Sequence, residues 1–330
     1  VADVAHAVSI YSVGSGMWTN PASWSPAQVP AGTDDVIIAT GSTNTISTNV
    51  VINVASLTIQ ANGVLTHFAN GTTAQGEQYK VVLSVSNNLT IALDGKINVD
   101  GKGYIAVNGP GRQILGTCSG SHGGKGYPYG YTASYIVGPT YGSITTPTNC
   151  GSGGNGSAGG GAVQIFVGGT TAVNGVISAD GDGTAGNYSG SGGSIYLTTG
   201  SLTGDGTISA NGGYVSGNRS GGGGRIAVVL TNSTDFGNVR LQAYPGVSPG
   251  GMHGSGGTVY LERAGHMPGQ GKLIVDYGDI RVGNIVNSTV QNELLSSSYT
   301  FAEILLTNGA VYLLDTNDAL DITAATIYGD

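Results

Sequence analysis

Charge is what this chain has least of: 9% of its 330 residues are Asp, Glu, Lys or Arg, and Lys and Arg together number 11. So few cations exclude a basic stripe that neutralises a phosphate backbone, and nucleic acid is not an expected partner. No apolar run approaches the roughly 20 residues that a membrane helix needs. Helix formers are scarce as well, which argues against an ordinary helical enzyme. Yet 39% of the residues are hydrophobic, so the chain is no disordered polyelectrolyte and carries enough apolar side chains for one elongated core. The formal charge of -8 comes from scattered acids rather than an acidic tail.

Cysteine is nearly absent too. Cys118 and Cys150 form an even pair within Gly/Ser/Tyr-rich surroundings. A disulfide between them would close a loop of about thirty residues and stabilise the fold by roughly 3 to 4 kcal/mol, with two buried free thiols as the alternative. The chain begins at Val1 without Met, basic stretch or apolar run, as a mature secreted chain does, although an excised fragment would read the same. Seven Asn-x-Ser/Thr triplets, at Asn70, Asn88, Asn155, Asn187, Asn218, Asn232 and Asn287, permit glycosylation in a secretory system. The Asn, Ser and Thr content produces several such triplets by chance.

What the chain does have is glycine, 60 residues of it, arranged in a repeat. The segments GGAVQIFV, GGSIYLTT, GGRIAVVL and GGTVYLER place their second glycines at Gly161, Gly193, Gly224 and Gly257, at spacings of 32, 31 and 33. A second strand keeps step, with Ile177, Ile208, Leu241 and Leu273 spaced by 31, 33 and 32. Two alternating strands on one period mean that like residues stack on like, so that no single turn of chain has a core of its own. Ile165, Ile195, Ile226 and Val259 are expected to form one interior ladder, and Ile177, Ile208, Leu241 and Leu273 another. The Gly-rich links between them read as sharply turning loops on one flank.

The second-strand signature recurs in GKINVDGKG around Ile97, 80 residues before Ile177, so one long insertion interrupts the period. It spans 103–159, holds both cysteines and contains Tyr127, Tyr129, Tyr131, Tyr135 and Tyr141. Tyrosine joins a flat apolar face to a polar tip, suited to packing on the wall of the fold, to a subunit interface or to a sugar ring. Alternation resumes in the last segment and no cap is evident there. The expectation is one domain over 1–330, with 1–40 as N-terminal strand and cap region, whose uncovered last strand reflects a longer parent chain or end-to-end assembly.

Chemistry is thinly represented. Asp100 with Lys102, and Asp180 with Asp182, joined by Asp276, fall at turns after the second strand, where a polysaccharide hydrolase or lyase would gather its charges. Asn211 holds the equivalent place one repeat on, and Asp and Asn are ordinary turn residues beside glycine. The same oxygens suit weak Ca²⁺ binding, but the calcium nonapeptide is absent; no other cofactor and no metal-ligand spacing is read. His6, His67, His122, His253 and His266 read as surface or loop residues. GVSPG near Ser248 and SHGGKG near Lys125 lack the helix that a nucleophile elbow or a phosphate loop requires.

The opening GMWTNPASWSPAQVPAGTDDVII, with GGGGRIAV and GSGGTVYLERAG later, resembles the start and the Gly-rich repeats of large bacterial surface β-helices, the autotransporter-passenger-like adhesins. The resemblance covers most of the chain, except the Tyr-rich insertion. It implies an all-β fold, a right-handed single-stranded parallel β-helix (β-solenoid), with Trp18 and Trp24 covering the first turn. An extracellular or cell-surface protein with a structural or adhesive role is expected, and the uncapped last strands together with the lack of a charged cluster point to end-to-end assembly into a filament or sheath. The alternatives are a carbohydrate-active β-helix enzyme and a glycan-binding adhesin that does not cleave.

Overall fold

The computed structural model describes residues 8–72, 76–130, 132–183, 188–214, 219–248, 252–278, 289–291, 299–308, 312–314 and 322–329. They form an all-β structure whose only helical element is one turn at Pro21–Ser23. A 14-stranded sheet starts at Trp24–Ser25 and Ser9–Ser12, continues through Asp35–Ile38, Ser56–Ile59 and Leu89–Ile91, and then through the repeat strands Ala162–Val173, Ser194–Thr203, Arg225–Leu230 and Thr258–Glu262. A seven-stranded sheet runs from Gly16–Met17 through Thr43–Ile46, Val64–His67, Lys96–Asn98, Val176–Ser178 and Thr207–Ser209 to Arg240–Gln242. The chain alternates between the two sheets, and the pairs inside each are parallel except for Ser9–Ser12 with Trp24–Ser25 near the N-terminal end and Thr258–Glu262 with Lys272–Asp276 after the last repeat strand.

The register follows the period. Leu65, Ile97, Ile177, Ile208 and Leu241 are successive Cα partners in the second sheet, so the 80-residue step across the insertion joins adjacent strands. Ile97, Ile177 and Ile208 are fully buried in the main hydrophobic cluster, each alternating with an outward neighbour as the pleat requires. In the first sheet the ladder is Val163, Ile195, Ile226 and Val259, while Ile165 pairs with Leu197. The expectation for Ile165 is therefore one pleat out. Both positions face the core, so alternation alone does not separate them, whereas counting two residues from Gly161 does.

The fourth member of the second ladder is a larger correction. Leu273 does not sit over Leu241: its strand, Lys272–Asp276, pairs antiparallel with Thr258–Glu262, setting Leu273 opposite Tyr260. The link between these strands turns at Gly265 and Gly269, both with positive φ. Tyr260 holds the turn shut, its hydroxyl accepting from Gly271 N (2.8 Å) and donating to Glu262 (2.5 Å). Tyr299–Thr307 and Ile322–Gly329 then add parallel to Lys272–Asp276, so the sheet continues with reversed strand direction. Leu273, Val275, Tyr277, Phe301 and Ile304 form a second core cluster with Tyr260, Ala227 and Ile144.

The Gly-rich links are not loose loops. Ser189–Gly193, Ser220–Gly224 and Gly254–Gly257 are buried. Ser189 N and Gly192 N donate to Arg219 O and Gly222 O, Gly190 N and Gly193 N to Asp182 O and Ala179 O, and Ser191 N and Ser194 N to Ser152 O and Gly161 O. Donor direction thus repeats every third residue, as in an extended helix of three residues per turn, neither strand nor α-helix. Backbones lie close enough that a Cβ at Gly192 would run into Ala210 O. Segment 119–127 of the insertion joins this layer: Gly120 N donates to Ser189 O, Gly124 N to Gly223 O and Tyr127 N to Ser220 O, and Lys125 O accepts from Ser255 N.

At the other end, Trp18 and Trp24 are both 2% exposed, in edge contact at 4.9 Å, with Trp24 Nε1 donating to Trp18 O. Both rings belong to the main hydrophobic cluster, beside the first strands.

Candidate functional site

Two surfaces emerge where the sequence placed candidates. The first is the acidic edge. Asp100 Oδ1 accepts the backbone N–H of Asp180 (2.8 Å), Asp180 Oδ1 accepts that of Asn211 (2.6 Å), and Asn211 Oδ1 accepts that of Tyr244 (2.8 Å). Each side chain ties its own turn to the next. The second oxygens are engaged as well, Asp100 Oδ2 by Asn98 Nδ2 (2.6 Å) and Asp180 Oδ2 by Ser209 Oγ (3.2 Å). Burial, reinforced by the Asp100 charge, pushes the Asp180 carboxyl up to about 7 against these hydrogen bonds. Asp276 stands outside the ladder, on a reversed strand, where it accepts from Gly278 N and Asn308 Nδ2. Lys102 makes no ion pair among the described residues, and no group of three or more His, Cys, Asp or Glu among them is placed to hold a metal ion. A cavity of about 330 Å³ beside Asp180 and Asn211 has Tyr214 and Tyr244 in its walls.

The second surface is the insertion, and it divides the tyrosines. Tyr127 is buried against the glycine layer. Tyr141 is turned inward, its hydroxyl donating to Cys150 O (2.6 Å) and its ring 4.5 Å from that of His122; burial holds its phenol well above the ordinary value. Tyr129 faces out at 51% exposure, 5.0 Å from Tyr135, with the Arg219 guanidinium 4.5 Å above its ring and 5.4 Å from Tyr188. Such stacking fixes an otherwise flexible cation and stiffens the aromatic pair. Beside them Leu115 and Ile136 form an antiparallel bridge, leaving Ile114, Leu115 and Ile136 exposed. Tyr131 lies outside the described residues. Neither Arg219 nor the Leu115–Ile136 bridge could be read from the sequence, because both depend on where the insertion folds back.

The inner end of the insertion is anchored by a partly buried polar cluster that the sequence did not reveal. Glu77 is ion-paired to Lys80 at 2.5 Å and accepts from Cys150 N (2.9 Å), while Lys80 Nζ donates to Thr148 O (2.7 Å). Arg225 is wholly buried, donating to Tyr141 O (2.8 Å) and Thr258 Oγ1 (3.1 Å). Two histidines expected at the surface are also fully buried, because each caps a backbone group inside. His67 Nδ1 donates to Phe68 O and His122 Nδ1 to Gly192 O; burial depresses them to about 4 and about 3.

The expected disulfide is not formed: Cys118 and Cys150 are free and buried. They point to different neighbours, Cys118 Sγ to Leu115 O and Cys150 Sγ to Asn70 Nδ2 (3.3 Å). Burial raises the Cys118 thiol to about 11, so neither nucleophilic attack nor oxidation is favoured there. Asn70 is likewise no glycan acceptor, being 1% exposed with its amide donating to Tyr79 O and Lys102 O. Asn88 and Asn232 are exposed and Asn155 half-buried, while Asn187, Asn218 and Asn287 lie outside the described residues. No described helix is long and apolar enough to cross a membrane. Comparison of the chain with protein-family models, with curated proteins and with solved structures finds no match in any of the three.

Proposed function

We propose that the chain is a right-handed β-solenoid of the cell exterior with a structural or adhesive role, a stiff rod that displays the insertion as its contact face. The observation carrying this reading is how the polar and aromatic side chains are divided. The acids of the candidate charged edge bind backbone N–H groups of the next turn, whereas Tyr129, Ile114, Leu115 and Ile136 are left on the surface, with Tyr135 half-buried beside Tyr129. Exposed aromatics held rigid by a neighbouring cation suit contact with a polysaccharide or a protein surface at little entropic cost.

Self-association end to end is part of the proposal. Ile322–Gly329 is the last strand of the 14-stranded sheet, and Ile327 is 65% exposed on it. Among the described residues no strand pairs with its outer edge, and an eight-residue strand edge of this kind is a template for pairing with another chain, while head-to-tail contacts that do not close build fibres. Electron microscopy of concentrated protein tests this directly: filaments or short rods joined at their ends are expected, and a strict monomer would refute it. Glycan-array binding reduced by Tyr129→Ala and Tyr135→Ala supports the contact face; unchanged binding removes it.

A second reading, hydrolysis of a polysaccharide, is favoured by one observation, a carboxyl near 7 at Asp180 with Asp100 beside it. Release of reducing ends from acidic or neutral polysaccharides, lost in Asp180→Asn, would establish it.

A further inference from the structure

A cavity of about 500 Å³ opens where the reversed strands meet the end of the repeat array, with Phe236, Leu261, Arg263, His266, Lys272 and Glu303 among its lining. Phe236 and Leu261 are half-buried at the edge of the main core and supply an apolar floor. Lys272 is already matched, 3.2 Å from Glu303 and donating to the Tyr328 hydroxyl (2.5 Å). Arg263 is not. Its Nε donates to His266 Nε2 (3.1 Å), which sets the plane of the guanidinium, but no carboxylate lies within ion-pair distance among the described residues. The Nη groups are left as a fork directed by its own neighbour.

We propose that this cavity binds the carboxylate of a uronic-acid sugar, the anion on the Arg263 fork and the ring face against Phe236 and Leu261. A planar guanidinium matches a carboxylate through two parallel hydrogen bonds, which a point charge cannot imitate. The apolar floor favours an anion with a hydrophobic face over inorganic phosphate. Because the chain carries a formal charge of -8, long-range attraction does not draw anions to it, so the affinity is set by local geometry. The inference is independent of the tyrosine face.

Calorimetric titration of the full chain with trigalacturonate, maltotriose, acetate and inorganic phosphate provides the test. Trigalacturonate is expected to bind, maltotriose not to, and acetate or phosphate to compete at least about tenfold more weakly. Arg263→Gln, at an exposed position, should weaken binding about tenfold or more, and Arg263→Lys should restore only part of it. Tyr129→Ala should leave it unchanged. The proposal fails if trigalacturonate does not bind at millimolar concentration, if maltotriose or phosphate binds equally well, if Arg263→Gln has no effect, or if Tyr129→Ala abolishes binding.

Discussion

Asp180 shows how a residue that reads as a turn-former becomes a titrating group. The sequence pointed correctly to an acid beside glycine at a turn, with Asn211 in its place one repeat later. Its raised affinity for a proton was not legible, because that depends on burial within the fold, reinforced by the charge of Asp100 arriving from 80 residues away. With a folded value near 7, against an ordinary carboxylate near 4, the native state holds this proton more tightly than the unfolded chain. Asp180 therefore weakens the fold as pH rises from about 4 to about 7, with a ceiling of about 4 kcal/mol, reduced to about 1 to 2 kcal/mol by its partial solvent access. Asp180→Asn keeps an acceptor for Asn211 N and carries no charge. Its urea midpoint should exceed that of the parent at pH 8, with the gap closing by pH 4. The buried histidines act in the opposite sense. Depressed to about 4 and about 3, His67 and His122 resist protonation in the native state, so their contribution is complete above about 6.5 and is lost as pH falls toward 4. Two groups outweigh one, and the parent should lose stability on acidification over that window. His122→Gln, which still donates to Gly192 O, should lose measurably less between pH 7 and pH 4.5.

At the scale of elements, the second ladder was legible from Ile177 to Leu241 and the first from Ile195 to Val259, whereas the glycine layer was not. Ile177 over Ile208 follows from an apolar alternation on a fixed period, which has one physical solution when both strands face a common core. Glycine carries no such direction. The same residue that permits a turn also permits backbone contact, and only the three-residue rotation of donors at Ser189–Ser194 distinguishes the second case. Gly192→Ala should cost about 3 kcal/mol, because the new methyl meets the rigid carbonyl of Ala210. Gly32→Ala, where the nearest atom to a new Cβ is Asn53 Cβ at 3.6 Å, should change stability by less than about 0.5 kcal/mol. Thermal denaturation of the pair gives the comparison. The insertion misled for a related reason: two cysteines in one loop suggest a bridge, yet Asn70 and Leu115 O draw the thiols to separate places. Thiol titration in denaturant should count two free groups with or without prior reduction.

On the scale of the whole molecule, strand direction is the property that the sequence concealed. GKLIVDYG fits the second-strand pattern as well as its predecessors do, since alternation reads identically in either direction. Only the closed turn at Tyr260 and Gly271 sends Leu273 back along the first sheet and opens the cavity beside Arg263. The reversed strands end at Ile322–Gly329, and a charge on that strand should oppose pairing between molecules. Ile327→Lys is expected to abolish concentration-dependent association in sedimentation experiments while leaving the melting temperature within about 2 °C of the parent.

Methyl-to-methyl NOE spectroscopy on protein labelled at isoleucine and leucine tests the stacked arrangement most directly. Cross-peaks are predicted from Ile97 to Ile177, from Ile177 to Ile208 and from Ile208 to Leu241, with none from Leu241 to Leu273. Absence of the Ile97 to Ile177 contact, or a strong one between Leu241 and Leu273, would contradict it.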